Sequence, residues 1–434
     1  MIKRTEEERA LIADAERMFP TSTRCLTFDP ELNFCVGKAE GSHIWDVSGN
    51  RYIDYLLGSG PHVLGHAHPA VLEALRTVPE GGTSHLIINE HAVRLGKKIL
   101  EHVPCAEMLS LHSSGSEATF FAMRIARVYR KRDKILKFEG AYHGMNDYAM
   151  MSNQWTMGSP AFPQAIPNTH GIPRSVSNEV LIAPFNDLEA TAAIIAKHHD
   201  ELAGVILEPV QRTFEPRPGF LQGVREVTAN YDIPLIFDEV VTGFRLGLGG
   251  AQATYGVTPD LCALGKAISG GLPLGVLCGR EDLMAIANPK RRLQMLPYSM
   301  QTGTFSSNPV CASVACAIIE ELEKPGVYER LDEVGTRVRA GLRDAIAQVG
   351  IEACVTGVPS VFEIWFTKDA PYDHRSAKGS DFYKNIRFSD LLLQQGVLKA
   401  AEKFFISATH SDEDIEQTIE AFHVALEQLN RELA

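Results

Sequence analysis

Apolar positions along this chain follow two periods, and the places where one gives way to the other outline the fold. The opening stretch MIKRTEEERALIADAERMF is charged and helix-periodic. GSHIWDVSGNRYIDY then alternates: Ile44, Trp45 and Val47 on one side and Tyr52, Ile53 and Tyr55 on the other flank turn formers at Ser48-Gly49-Asn50, which predicts two short strands around a turn. From about residue 70 helices alternate with short apolar runs. AVRLGKKILEHV reads as a helix, and EMLSLHSSGSEATFFAMRIARVYR as a strand, a tight turn and a helix. KILKFEG, GVILEPV, PLIFDEV and LCALGK are each an apolar run closed by a polar or small residue. That alternation predicts a parallel sheet covered by helices. From about residue 320 long amphipathic helices lead into the strand-like SVFEIWFT and FFISAT, and a last helix opens with Ser411 and Asp414 as a capping box. The expected division is an N-terminal segment with a small β element (1–69), a large α/β domain (70–318) and a C-terminal α+β domain (319–434).

Composition narrows the partners. The chain has 434 residues, 45% hydrophobic and 22% charged, which suits a fully folded multi-domain protein, and its formal charge of -12 opposes phosphate backbones and anionic lipid. Neither nucleic acid nor membrane is an expected partner. The eight cysteines are scattered without CxxC or paired Cys/His spacing, so reduced thiols are expected and a zinc site is not. The start lacks the apolar core of a signal peptide and no uninterrupted run of 18 apolar residues occurs, so a cytoplasmic location is expected.

Ligands of open parallel sheets sit beyond the carboxyl ends of the strands, so the polar residues that close the apolar runs are the candidates. Ser114, Gly115 and Ser116 lie where a strand turns into a helix; free N–H groups and a positive dipole end there suit a phosphate, although Ser-Gly-Ser is also an ordinary cap. Tyr142 could stack on a flat heterocycle or simply pack, and His143 follows it. Glu208 and Asp238 put carboxylates at two further strand ends, either as exposed loop acids or as buried partners of a cation or a protonated ring nitrogen. Lys266, after LCAL and before AISGG, could snorkel from a helix start, or it could sit in a tight apolar site where desolvation frees its amine to attack carbonyls. Together, a phosphate cradle, an aromatic plate, a ring-nitrogen acid and a nucleophilic lysine are the complement that pyridoxal phosphate requires. In that reading Asp238 keeps the pyridine nitrogen protonated, while Lys266 holds the aldehyde and moves protons.

At these residues the chain resembles the class III (subgroup II) aminotransferases of fold type I, from about residue 10 to the end. SSGSEA resembles the family's phosphate loop, with Ser116 in place of the usual threonine. FEGAYHG resembles its stacking aromatic, DEVVTGFR its ring-nitrogen acid and LGKAISGGLPLG its lysine segment. The resemblance implies an aspartate aminotransferase-like α/β fold, with a large mostly parallel-sheet α/β/α domain and a smaller α+β domain. It also implies an amino-group transfer cycling between pyridoxal and pyridoxamine phosphate, and a homodimer with shared active sites. In the family the segment matched by GTFSSNPV reaches the neighbouring subunit, which nominates Thr304 as a phosphate contact. Val241 stands where many ω-amino acid transaminases carry a glutamine and the aminomutase branch an apolar residue. Arg24 and Glu402 fall on that branch's substrate-facing arginine and gating glutamate, and His143 is carried as a further substrate contact. LLGSGPH, AAEKFF and the loop around Trp155 depart from the aminomutase pattern. A β- or ω-amino acid transaminase therefore stands as the alternative, and an inactive binding protein of the same fold as the lesser one.

Overall fold

A computed structural model describes residues 2–20, 29–154, 161–400 and 402–433. In chain order its strands are β1 (Val36–Glu40), β2 (His43–Asp46), β3 (Arg51–Asp54), β4 (Met108–His112), β5 (Lys134–Phe138), β6 (Val180–Ala183), β7 (Leu202–Leu207), β8 (Leu235–Asp238), β9 (Leu261–Leu264), β10 (Gly275–Gly279), β11 (Cys354–Val358), β12 (Val361–Trp365), β13 (Val397–Leu398) and β14 (Phe404–Phe405).

The chain forms two compact units. One comprises residues 1–72, 325–371 and 377–434, and the other residues 73–324 with 372–376. In the first unit the hairpin at Ser48–Asn50 appears as β2 and β3, preceded by β1; the far strand β13 adds in parallel to β3, so the order is β1-β2-β3-β13. A second sheet has the order β11-β12-β14. Only Phe404–Phe405 of FFISAT is a strand, and the Ile406 amide adds one further bond in the same register, to the carbonyl of Ser360 (3.1 Å). The last helix, Asp412–Leu433, opens with a reciprocal cap: Ser411 N donates to Asp414 Oδ2 (2.9 Å) and Asp414 N to Ser411 Oγ (3.1 Å).

The second unit holds a seven-stranded sheet ordered β4-β10-β9-β8-β7-β5-β6, parallel except for β10. β6 and the antiparallel β10 add to the runs expected from the alternation. Every residue of β7, β8 and β9 is buried, as unbroken apolar runs require when both faces of a sheet are covered. The helix Gly115–Arg130 packs on β7, β9 and β10. Small residues at helical spacing, Ala118, Ala122 and Ala126, let it lie close: a Cβ on Gly204 of β7 would stand 3.1 Å from that of Ala126. Among the described residues no helix is long and apolar enough to cross a membrane.

Candidate active site

β4, β5, β7, β8 and β9 point the same way, so the residues that follow them gather along one edge of the sheet. Register sets the first relation. Asp238, the last residue of β8, pairs with Ala263 of β9, and Lys266 follows three residues later. Lys266 is half-buried and has a φ of 37°, a left-handed conformation that costs a non-glycine residue free energy and tends to occur at functional sites.

Asp238 is buried and doubly held. Its Oδ2 accepts from Nδ1 of His143 at 2.8 Å, and its Oδ1 from the amide of Val240 at 3.1 Å. That contact places the imidazole proton on Nδ1. His143 is only 1% exposed and lies against Asp238. Its Nε2 is a buried polar atom without a hydrogen-bond partner among the described residues.

The helix that follows β4 starts with its first amides at this edge. Ser114 is the N-cap, its Oγ accepting from the amide of Glu117 at 3.2 Å, while the Glu117 carboxylate accepts from the amide of Ser113 at 2.7 Å. Ser114 is thus a cap as well as a candidate ligand. The next amides, of Gly115 and Ser116, belong to the first helical turn, which has no intrahelical acceptors to offer them. Glycine lets neighbouring segments press on this turn: a Cβ on Gly115 would lie 2.8 Å from Cγ2 of Val240, and one on Gly144 (φ 94°) 2.4 Å from Oγ of Ser116. Thr119 Oγ1 donates to the carbonyl of His143 at 2.6 Å, tying the 142–144 loop to the same helix.

Tyr142 is partly exposed, and burial of the rest of its side chain pushes its hydroxyl up from the ordinary value. Its amide donates to Glu208 Oε1 at 2.7 Å, and Glu208 Oε2 accepts from the amide of Arg212 at 3.3 Å. Glu208 therefore orders two backbone segments. The Arg212 guanidinium lies 5.7 Å from the Tyr142 ring centre.

Ser114, Gly115, Ser116, Tyr142, His143, Glu208, Asp238 and Lys266 thus share one edge. Val241, just past Asp238, is half-buried, with its carbonyl accepting from Nε of Arg245 at 3.0 Å. Thr304 lies in an exposed turn of this unit, and Glu402 is an exposed residue of the other unit. Arg24 and Trp155 lie outside the described residues. Sequence reasoning missed Val240 and Thr119, which fit the loops together. Val240 reads as a spacer after the acid, and Thr119 as one more helical residue.

Such an edge is what a group-transfer enzyme needs to hold a phosphate, a flat ring and a reactive carbonyl at once, and the profile of class-III aminotransferases matches residues 28–426. The chain belongs to that family. It is 42% identical over 390 residues to glutamate-1-semialdehyde 2,1-aminomutase of Desulforudis audaxviator, covering 88% of each chain. It is 40% identical over 399 residues to glutamate-1-semialdehyde 2,1-aminomutase 2 of Brevibacillus brevis, covering 91% of each. Among solved structures, an omega-transaminase from Sphaerobacter thermophilus superposes with a TM-score of 0.90 at 32% identity, over 98% of both chains.

Proposed function

We propose that this protein is a pyridoxal phosphate-dependent enzyme of the class-III aminotransferases that acts as a glutamate-1-semialdehyde 2,1-aminomutase. The observation that carries the reading is the convergence, on one sheet edge, of Lys266, a buried Asp238 held by His143, and the Ser114–Ser116 helix start. The donor set fits the cofactor. The amides of Gly115 and Ser116 would take its phosphate, the Tyr142 ring would cover its face, and Asp238 would face its ring nitrogen. When bound, pyridoxal phosphate supplies an aldehyde that takes up amines and a ring that accepts electrons from the amine-bearing carbon. Lys266 Nζ would hold that aldehyde in the resting enzyme and would then be the group that moves the proton at the reacting carbon. His143 acts through Asp238, its Nδ1 fixing the orientation of that carboxylate. Arg24 and Glu402 are the proposed substrate contacts.

The protein is further proposed to work as a homodimer in which Thr304 serves the partner's phosphate site. Leu86, Ile87, Ile88, Leu293, Met295 and Phe305 are all largely exposed, Met295 at 91%. The two segments that carry most of them are joined, Asn89 Nδ2 to the Ser307 carbonyl (2.8 Å) and Asn308 Nδ2 to that of Thr83 (2.7 Å). An apolar surface of that kind calls for a covering partner.

Two measurements test the reading. The purified protein should carry a visible cofactor absorption band that is lost in Lys266→Ala; persistence of a borohydride-reducible cofactor adduct in that variant would assign the wrong lysine. The aminated enzyme mixed with glutamate-1-semialdehyde should yield 5-aminolevulinate without an added keto acid. The second reading, a β- or ω-amino acid transaminase, is favoured by the fold match to the omega-transaminase. No turnover of the semialdehyde, alongside rapid amine transfer from such an amino acid to pyruvate or 2-oxoglutarate, would establish it instead.

A further inference from the structure

Between Phe138 and Arg174 the described residues contain neither helix nor strand, yet the front of this stretch carries Tyr142 and His143. Carbonyl groups folded beneath such a loop must find donors. They find them in Lys137, a charged residue in the middle of an apolar run of β5 and only 1% exposed. Its Nζ donates to the carbonyls of Ala141 (2.9 Å), Ala149 (2.9 Å) and Met151 (2.6 Å). An ammonium has three protons and no acceptor, so this head is fully used. Burial pushes the amine down to about 7, with Glu208 opposing the drop and Arg212 adding to it. Three charge-assisted hydrogen bonds in a dry setting favour the protonated form.

We propose that Lys137 is a positioning residue for the cofactor face of the site: by gathering the carbonyls of residues 141, 149 and 151 around one ammonium, it sets where the Tyr142 ring and the His143–Asp238 contact stand. Two anchors hold the near limb of the loop from other directions, Thr119 on the His143 carbonyl and Glu208 on the Tyr142 amide at 2.7 Å. Lys137 joins that limb to the returning one, beside the backbone bond from Gly140 N to the Ser152 carbonyl at 2.7 Å. Removing the ammonium leaves three buried acceptors unpaired in the segment that bears the aromatic plate, while the bonds it makes go to the carbonyls of residues 141, 149 and 151 rather than to Lys266, Asp238 or the helix N-terminus.

The inference rests on the proposed cofactor chemistry, and its test separates the two. In Lys137→Met, hydrogen exchange should rise in residues 139–152 and stay unchanged in β7 and β8. Affinity of the apo-protein for pyridoxal phosphate should fall about tenfold or more, and the visible circular dichroism per bound cofactor should shrink. Combined with Tyr142→Ala the affinity losses should not add, because both act through one ring. Unchanged exchange in 139–152, or an increase spread evenly through β7, β8 and β9 with native circular dichroism per cofactor, would overturn the proposal. Should the variant not fold, the unmodified protein still decides: amides of residues 149–152 that exchange as fast as a free chain would show that no such clamp exists. A wild-type protein that binds no pyridoxal phosphate would sink the functional reading, while exchange in 139–152 would still report on the clamp.

Discussion

Gly275 offers the sharpest test of the phosphate assignment. It is the first residue of β10 and pairs with His112, so its backbone runs alongside the turn that enters the helix at Gly115. A Cβ there would stand 2.1 Å from the carbonyl oxygen of Ser114, 2.4 Å from its carbonyl carbon and 3.0 Å from the amide nitrogen of Gly115. These are backbone atoms, so no side chain can swing away, and the loop must retreat by about 1 Å or more to restore ordinary contact. A displacement of that size lengthens amide-to-phosphate hydrogen bonds beyond their useful range. Losing two bonds to a charged group, at about 1.5 kcal/mol each even at the low end, gives about 3 kcal/mol, or roughly 100-fold. Apo-protein titrated with pyridoxal phosphate should therefore show a Kd about 100-fold higher in Gly275→Ala than in wild type. Titration with pyridoxal, which lacks the phosphate, should be nearly unaffected. Equal losses for both ligands, or no loss for either, would refute the argument that Ser114–Ser116 cradle a phosphate.

Other outcomes follow from the same structure. Glu239 is fully buried, and desolvation pushes its carboxyl up to about 7 even though it accepts from the amide of Ala251 (2.5 Å) and from Thr242 Oγ1 (2.9 Å). The folded value lies above the unfolded one, so its contribution to stability is complete below about pH 4.5 and is lost as pH rises through 7, up to about 3 kcal/mol. Urea unfolding of wild type compared with Glu239→Gln between pH 5 and 8 should show that slope only in the wild type. Ser411→Ala removes one half of the reciprocal cap on the last helix and should cost about 1 kcal/mol, read as a lowered Tm. From the proposed homodimer it follows that wild type should run as a dimer in light scattering and Ile87→Glu or Phe305→Glu as a monomer with weakened cofactor retention; a variant that stays dimeric would remove that surface from the proposed interface.

Much of this protein can be read directly from its sequence, because local patterning reports on neighbours close along the chain. The unbroken apolar runs of β7, β8 and β9, the turn at Ser48–Asn50 and the Ser411/Asp414 cap follow from periods and caps that need no distant partner. The polar residues that close those runs could be named for the same reason: in a parallel sheet, strand polarity alone sends them to one edge. Which of them touch was decided by tertiary structure. The His143–Asp238 contact joins residues 95 positions apart, the seating of Val240 against Gly115 depends on the register of β8 beside β9, and β13 finds β3 across most of the chain. Lys137 shows the limit most plainly. In sequence it is a charge interrupting an apolar strand, and only when the chain returns with the carbonyls of Ala149 and Met151 does burying an ammonium there become favourable. Periodicity is set by local sterics and water, whereas pairing between loops is set by how the whole sheet closes its hydrogen bonds.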